Sequence, residues 1–213
     1  NRDDTGRPKT AIFGDAPRLR ISSQALKRAW RKSDVFARHL TGHMGERTQR
    51  LGEVVEQHLL QKGTAADKAR SIAIKIADVF GKPKNEKDKK PTYIEQLAFI
   101  SPEERQTAIA LAEQLAEGSA TEVKNDQVLR HTDTAVDIAM FGRMLADNPA
   151  YNREAAVQVA HAITTHKVMV EDDYYTAVDD LKKPAEDAGA GFVGEAGFGA
   201  GAFYLYCCID RDL

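Results

Sequence analysis

Three sets of residues in the 213-residue chain carry chemistry. Asp172, Asp173, Asp179 and Asp180 flank Tyr174 and Tyr175, and neighbouring carboxylates of this kind can hold Mg²⁺ for hydrolysis. Nothing nearby supplies a general base, so the competing reading is a solvated loop or ion pairs with arginines. His161 and His166 fall in an alternating run, where a five-residue separation reverses the face; they read as single polar residues of a sheet, not as paired metal ligands. Cys207 and Cys208 are the only cysteines. Adjacent thiols make no disulfide framework and no complete ligand set, which predicts buried strand residues, a reducing cytoplasmic setting, and no metal or cofactor.

The third set is a row of cations. Residues 18–32 contain Arg18, Arg20, Lys27, Arg28, Arg31 and Lys32. Ser22 or Ser23 is a good helix N-cap, and steps of 100° per residue place Leu26, Ala29 and Trp30 on one side, with Gln24, Lys27, Arg28 and Arg31 on the other. Like charges so close repel, and a polyanion along that face would relieve them. A plain solvated helix face is the alternative, weakened by Lys9, Arg18 and Arg20 just before it.

The composition is consistent with this asymmetry. Residues 1–50 carry twelve Lys and Arg against five acids, an excess of seven positive charges; with −2 overall, residues 51–213 carry −9. A basic head on an acidic body suits a local nucleic-acid track, and equally suits contact between copies of the chain. The longest apolar run, within 202–209, is far shorter than the roughly 20 residues that span a bilayer, which predicts no membrane segment.

The elements that must position these residues read as follows. Residues 1–17 are loop. Residues 34–130 form a helical block: Leu51, Val54, Val55, His58 and Leu59 fall at helical spacing, as do Ala69, Ile72, Ala73, Ile76, Val79 and Phe80. Ser101-Pro102-Glu103-Glu104 combines a capping box with proline at the first helical position. Between these helices, 82–91 is a weakly basic loop bracketed by prolines, with a lesser alternative that it touches a polyanion. From residue 134 the period becomes that of strands, over 135–141, 155–168 and 202–209. Arg143 and Met144 lie at a strand end, where exposed side chains often bind. A segment of about thirty residues leaves the sheet after 171 and returns before 202; at about 3.3 Å per residue it could project on the order of 30 Å.

On these motifs the sequence resembles the CasC backbone-subunit family of the type I-E CRISPR surveillance complex, Cascade. The stretches are Asn1-Arg2-Asp3-Asp4, Ala11-Ile12-Phe13-Gly14, residues 18–29, Val136-Asp137-Ile138-Ala139, Gly142-Arg143-Met144, residues 160–166, and Thr176-Ala177-Val178-Asp179-Asp180. The helical middle matches loosely, and family members extend beyond this chain at both ends, so the chain is expected to be part of a longer one. The resemblance implies an α+β fold with an RRM-like (ferredoxin-like) palm, an inserted helical fingers domain and a protruding thumb hairpin. Its divisions are 1–33 palm with the basic helix, 34–133 fingers, 134–171 palm strands, 172–201 thumb and 202–213 palm strand.

It also implies a non-catalytic subunit that polymerises head to tail along CRISPR RNA, kinks it at intervals, and presents bases to a target DNA strand beside other Cascade subunits. Carried over by motif, Arg2, Lys9, Arg20, Ser22, Gln24, Lys27 and Arg31 bind the RNA backbone. Met144, Tyr174, Tyr175 and Thr176 pack on bases; the two tyrosines stand where some members have tryptophan and phenylalanine, a less apolar wedge. Phosphate and sugar contacts hold a strand irrespective of sequence, and aromatic stacking accepts any base. Two rivals compete. One is a metal-dependent ribonuclease of the same fold using the four aspartates. The other is a generic RRM-like RNA-binding protein, disfavoured because the central strands lack exposed aromatics.

Overall fold

The computed structural model describes residues 1–85, 89–132, 135–177 and 192–213. In chain order, β1 (Thr10–Ile12) and β2 (Pro17–Ile21) lead into α1 (Ser23–Arg31) and α2 (Asp34–His39). β3 (Glu46–Thr48), α3 (Leu51–Gln61), α4 (Ala66–Asp78), β4 (Ala98–Ile100), α5 (Pro102–Glu117), α6 (Asn125–Val128) and α7 (Val136–Phe141) follow. The chain continues through β5 (Val157–Val159), β6 (Ala162–Thr164), β7 (Glu171–Ala177), β8 (Phe192–Phe198), β9 (Phe203–Tyr204) and β10 (Cys207–Ile209). Among the described residues, no helix is long and apolar enough to cross a membrane.

Two compact units divide the chain: Asn1–Trp30 with Val159–Cys208, and Arg31–Gln158 with Ile209–Leu213. The second is helical. α3, α4 and α5 pack apolar faces into one core containing Leu51, Val55, Leu59, Ala69, Ile72, Ala73, Ile76, Ala108, Leu111 and Leu115. These recur three or four residues apart, the spacing that puts one stripe of a helix inside. The capping box forms as read: Ser101 Oγ accepts from the Glu104 N–H at 3.1 Å, and Glu104 Oε2 from the Ser101 N–H at 3.0 Å.

That carboxylate has a second partner 39 residues on. Arg143 Nη1 lies 2.7 Å from Glu104 Oε2, with the side chains only 3% and 1% exposed. Arg143 also donates to the Tyr151 carbonyl at 3.1 Å. Arg143 is therefore a buried tie and not an exposed strand-end residue, while its neighbour Met144 is 75% exposed. Residues 135–141 depart from expectation too. They form the helix α7, whose fully buried Asp137 accepts the Gly45 N–H at 2.7 Å.

The first unit is built on strands. β1, β2, β6 and β9 form an antiparallel sheet in that order. Leu19 is buried on β2, and its backbone N–H donates to the buried Thr164 hydroxyl at 3.1 Å. Residues 155–168 are two short strands, β5 and β6, separated by Ala160 and His161, and 202–209 divides likewise into β9 and β10. β5 and β10 pair apart from the four-stranded sheet. Cys207 and Cys208 are exposed, which corrects the expectation that they are buried.

β7 and β8 pair along their whole length, Glu171 opposite Phe198 through Ala177 opposite Phe192. Asp179 and Asp180, and the rest of 178–191, lie outside the described residues.

Candidate nucleic-acid interface

The sheet unit gathers most of the expected backbone-binding residues. Arg20 on β2 donates its N–H to the Lys9 carbonyl at 2.8 Å, so the two residues sit side by side on the ladder. Ser22 is the N-cap of α1: its Oγ accepts from the Ala25 N–H at 3.3 Å. Gln24 and Arg28 are exposed on the helix, and Lys27 is half-buried. Arg20 Nε is enclosed without a hydrogen-bond partner, whereas its other guanidinium nitrogens do not share that condition.

Every residue of α1 keeps some exposure, which corrects the expected buried stripe of Leu26, Ala29 and Trp30: Leu26 and Trp30 are half-buried, and Ala29 is exposed. Arg31 leaves the cationic row altogether. Its Nε pairs with the buried Asp137 at 2.7 Å, its Nη2 donates to the Gly45 carbonyl at 3.1 Å, and its guanidinium lies 4.3 Å from the Phe99 ring centroid. A guanidinium with a buried carboxylate to neutralise and an aromatic face to stack on is part of the helical unit's structure.

Residues 1–8 join the row to the β7–β8 hairpin. At one end, the Asn1 side chain donates to the Arg20 carbonyl, and its Oδ1 accepts the Ser22 N–H and hydroxyl at 3.2 Å each. At the other, Arg2 Nη1 donates to the Gly197 carbonyl at 3.0 Å, and Arg7 pairs with Asp172 at 2.8 Å. Pro8 lies against Gly197 so closely that an added Cβ would meet its Cδ at 2.9 Å, a space only glycine leaves open. Arg2 therefore meets the Gly6 and Gly197 carbonyls and not a carboxylate.

Asn1, Arg7 and His161 are the positioning residues that sequence reasoning did not find. His161 Nδ1 accepts the Ser23 N–H at 3.2 Å, completing the start of α1 from 138 residues away. Asp3 contributes locally: hydrogen bonds from the Thr5 hydroxyl and the Arg7 N–H hold its carboxyl below the usual carboxylate range. No spacing rule relates partners so distant.

On the hairpin, Tyr174 is 67% exposed and Tyr175 46%. Consecutive strand residues face opposite ways, so Tyr174 shares a side with Asp172 and Thr176, and Tyr175 with Asp173. The Tyr175 ring lies across Gly194, where a Cβ would meet it at 2.5 Å. Met144 belongs to the other unit, in which it is exposed. Asp172 and Asp173 do not converge: they take opposite sides of β7, and the first is engaged by Arg7. Among the described residues, no group of three or more His, Cys, Asp or Glu is placed to hold a metal ion.

A mixed α+β chain with small antiparallel sheets, a helical block and a paired hairpin has solved counterparts. Over 100% of its length, the chain is similar to a chain of a CRISPR RNA-guided surveillance complex, pre-nicking, with 32% identity and a TM-score of 0.82. A chain of another CRISPR RNA-guided surveillance complex matches 78% of it, with 30% identity and a TM-score of 0.62. The chain spans 61% and 54% of those two chains. The CT1975-like protein family model matches residues 1–213, and the chain belongs to that family. No curated protein matches it.

Proposed function

We propose that this chain is a non-catalytic, CRISPR RNA-binding backbone subunit of the type I-E CasC kind, with the sheet unit as an RRM-like palm. The row Lys9, Arg20, Ser22, Gln24 and Lys27, with Arg2 at its edge, grips the sugar-phosphate of the guide. The β7–β8 hairpin packs Tyr174, Tyr175 and Thr176 on bases and kinks the strand. Copies follow one another head to tail in the cytoplasm beside other Cascade subunits, and the bases left free pair with a target DNA strand.

One observation carries this reading: the eight-residue loop that hydrogen-bonds the start of the basic helix at Asn1 also clasps the hairpin base at Arg2, Arg7 and Pro8. Grip and arm are thereby held in register within one unit. Two surveillance-complex chains of similar fold support it.

The test replaces Arg20 and Lys27 together by Ala and measures binding to two unrelated RNA sequences across a salt series. Both should weaken alike, with the log–log salt slope flattening by about 0.7 per lost phosphate contact on a single strand. Loss confined to one sequence overturns the phosphate-track assignment. Incubation with RNA and Mg²⁺ should leave the strand intact; cleavage that disappears in Asp173→Ala would replace this reading with the ribonuclease one.

A further inference from the structure

The helical unit carries a second gathering of cations, unrelated to α1. Tyr93 is buried, and three positive groups stand over its ring: Lys90 Nζ at 4.8 Å from the centroid, and Lys84 Nζ and the Arg50 guanidinium at 5.8 Å each. Mutual repulsion opposes such crowding, and the negative face of the ring offsets part of it. One carboxylate, Glu53, offsets more. It takes Arg50 at 2.6 Å and the Tyr93 hydroxyl at 3.1 Å, while Lys90 donates to that hydroxyl at 3.3 Å.

The lysines ride on a hydrogen-bonded base. The Lys84 N–H donates to the Tyr93 carbonyl at 2.7 Å, the Glu95 N–H to the Lys82 carbonyl at 2.9 Å, and Pro83 bridges Ile94. Their backbones are thus placed before any ligand arrives, which lowers the ordering cost of binding.

Charge remains over after local pairing. Among the described residues, positions 50, 53 and 82–95 hold five cations (Arg50, Lys82, Lys84, Lys89, Lys90) against two carboxylates (Glu53, Glu95). Asp147, which accepts the Lys82 N–H at 3.0 Å, still leaves cations in the majority. Next to Lys90, an open cleft of about 510 Å³ runs between Pro91 and α4, and Arg70 and Lys75 line it together with Asp67.

We infer that this patch takes the phosphodiester backbone of a polynucleotide, as a second contact beyond the α1 row. The inference rests on the RNA-binding reading above for the class of ligand. Lysine ammonium groups meet phosphate as point charges, so the contact is blind to sequence. The same chemistry could come from the guide RNA or from a DNA duplex, and the experiment separates them.

Lys84 and Lys90 are replaced together by Ala in one variant and by Arg in a second. Far-UV circular dichroism and thermal unfolding of both are compared with the parent. Affinity for a single-stranded RNA and for an unrelated DNA duplex is then measured by filter binding between about 50 and 200 mM salt. The Ala variant should lose about tenfold in affinity for one of the two, with the salt slope flattened by about 1–2, and the Arg variant should keep both. Loss on RNA assigns the patch to the guide; loss on the duplex assigns it to DNA. Unchanged affinity and slope for both overturn the inference, as does an Arg variant as weak as the Ala one. If Arg20→Ala with Lys27→Ala weakens RNA binding while this pair does nothing, only this inference falls. A parent protein that binds neither polynucleotide defeats the RNA-binding reading as well.

Discussion

Arg143 and Arg20 show how differently the two units treat a positive charge. In the helical unit, Arg143 is enclosed and neutralised by Glu104, and Arg31 by Asp137. In the sheet unit, neither the half-buried Arg20 nor Arg2 pairs with a carboxylate among the described residues, and Arg2 meets carbonyl oxygens. A buried charge without a counter-ion is strongly unfavourable, so Arg143 and Arg31 are committed to the fold. Arg2 and Arg20 remain available to an external anion. The comparison teaches that the same residue type is committed to the fold or left open according to what lies opposite it.

The sharpest way to break that contrast is Glu104→Ala, which strips Arg143 of its counter-ion and α5 of half its capping box. A loss of about 3–5 kcal/mol is expected in denaturant unfolding of the helical unit. A loss below about 1 kcal/mol would show that Arg143 is hydrated and not buried. Arg31→Ala should come next, at about 3 kcal/mol, because it leaves a buried Asp137 carboxylate unpaired. RNA binding by the fraction still folded should be unchanged; a specific loss of RNA affinity at full stability would return Arg31 to the cationic row.

Gly197→Ala should cost about 1–3 kcal/mol through the clash with Pro8. Its distinguishing sign is chemical probing of bound RNA: periodic base reactivity should blur although overall affinity persists.

The smallest effect concerns acid. Glu113 accepts hydrogen bonds from His58 and Lys62, which hold its carboxyl below the usual range. A carboxyl depressed in the folded state stabilises above its unfolded value of 4.5, and that contribution is lost as pH falls from there through the folded value. Glu113→Gln should therefore lower stability slightly at neutral pH and flatten the acid limb of a stability–pH curve, the two curves converging at low pH. An unaltered acid limb would mean the pair exists without consequence.

Much of the helical unit was legible in advance, because a helix core repeats every three or four residues and a capping box is complete within four. Leu51, Val55 and Leu59 needed no knowledge of their partners. Residues 135–141 read as a strand for the complementary reason: seven residues that include Val136, Ile138 and Phe141 are too few to display a helical period. What makes them a helix is tertiary, Asp137 gripping Gly45 and Arg31 and the Val136 N–H donating to the His43 carbonyl at 2.8 Å. Alternation over 155–168 was visible, but alternation cannot report that a strand ends and its successor joins other partners. At the candidate interface, residue types were legible and their support was not. The Asn1, Arg7 and His161 contacts join positions 21, 165 and 138 apart.

The alternation of the two tyrosines has a consequence for any object the arm meets. With one phenol on each flank and the second laid flat over a glycine, the arm is a two-edged blade. Trimming Tyr174 dulls one edge and trimming Tyr175 the other, so whatever lies before the arm and whatever lies behind it can be loosened one at a time.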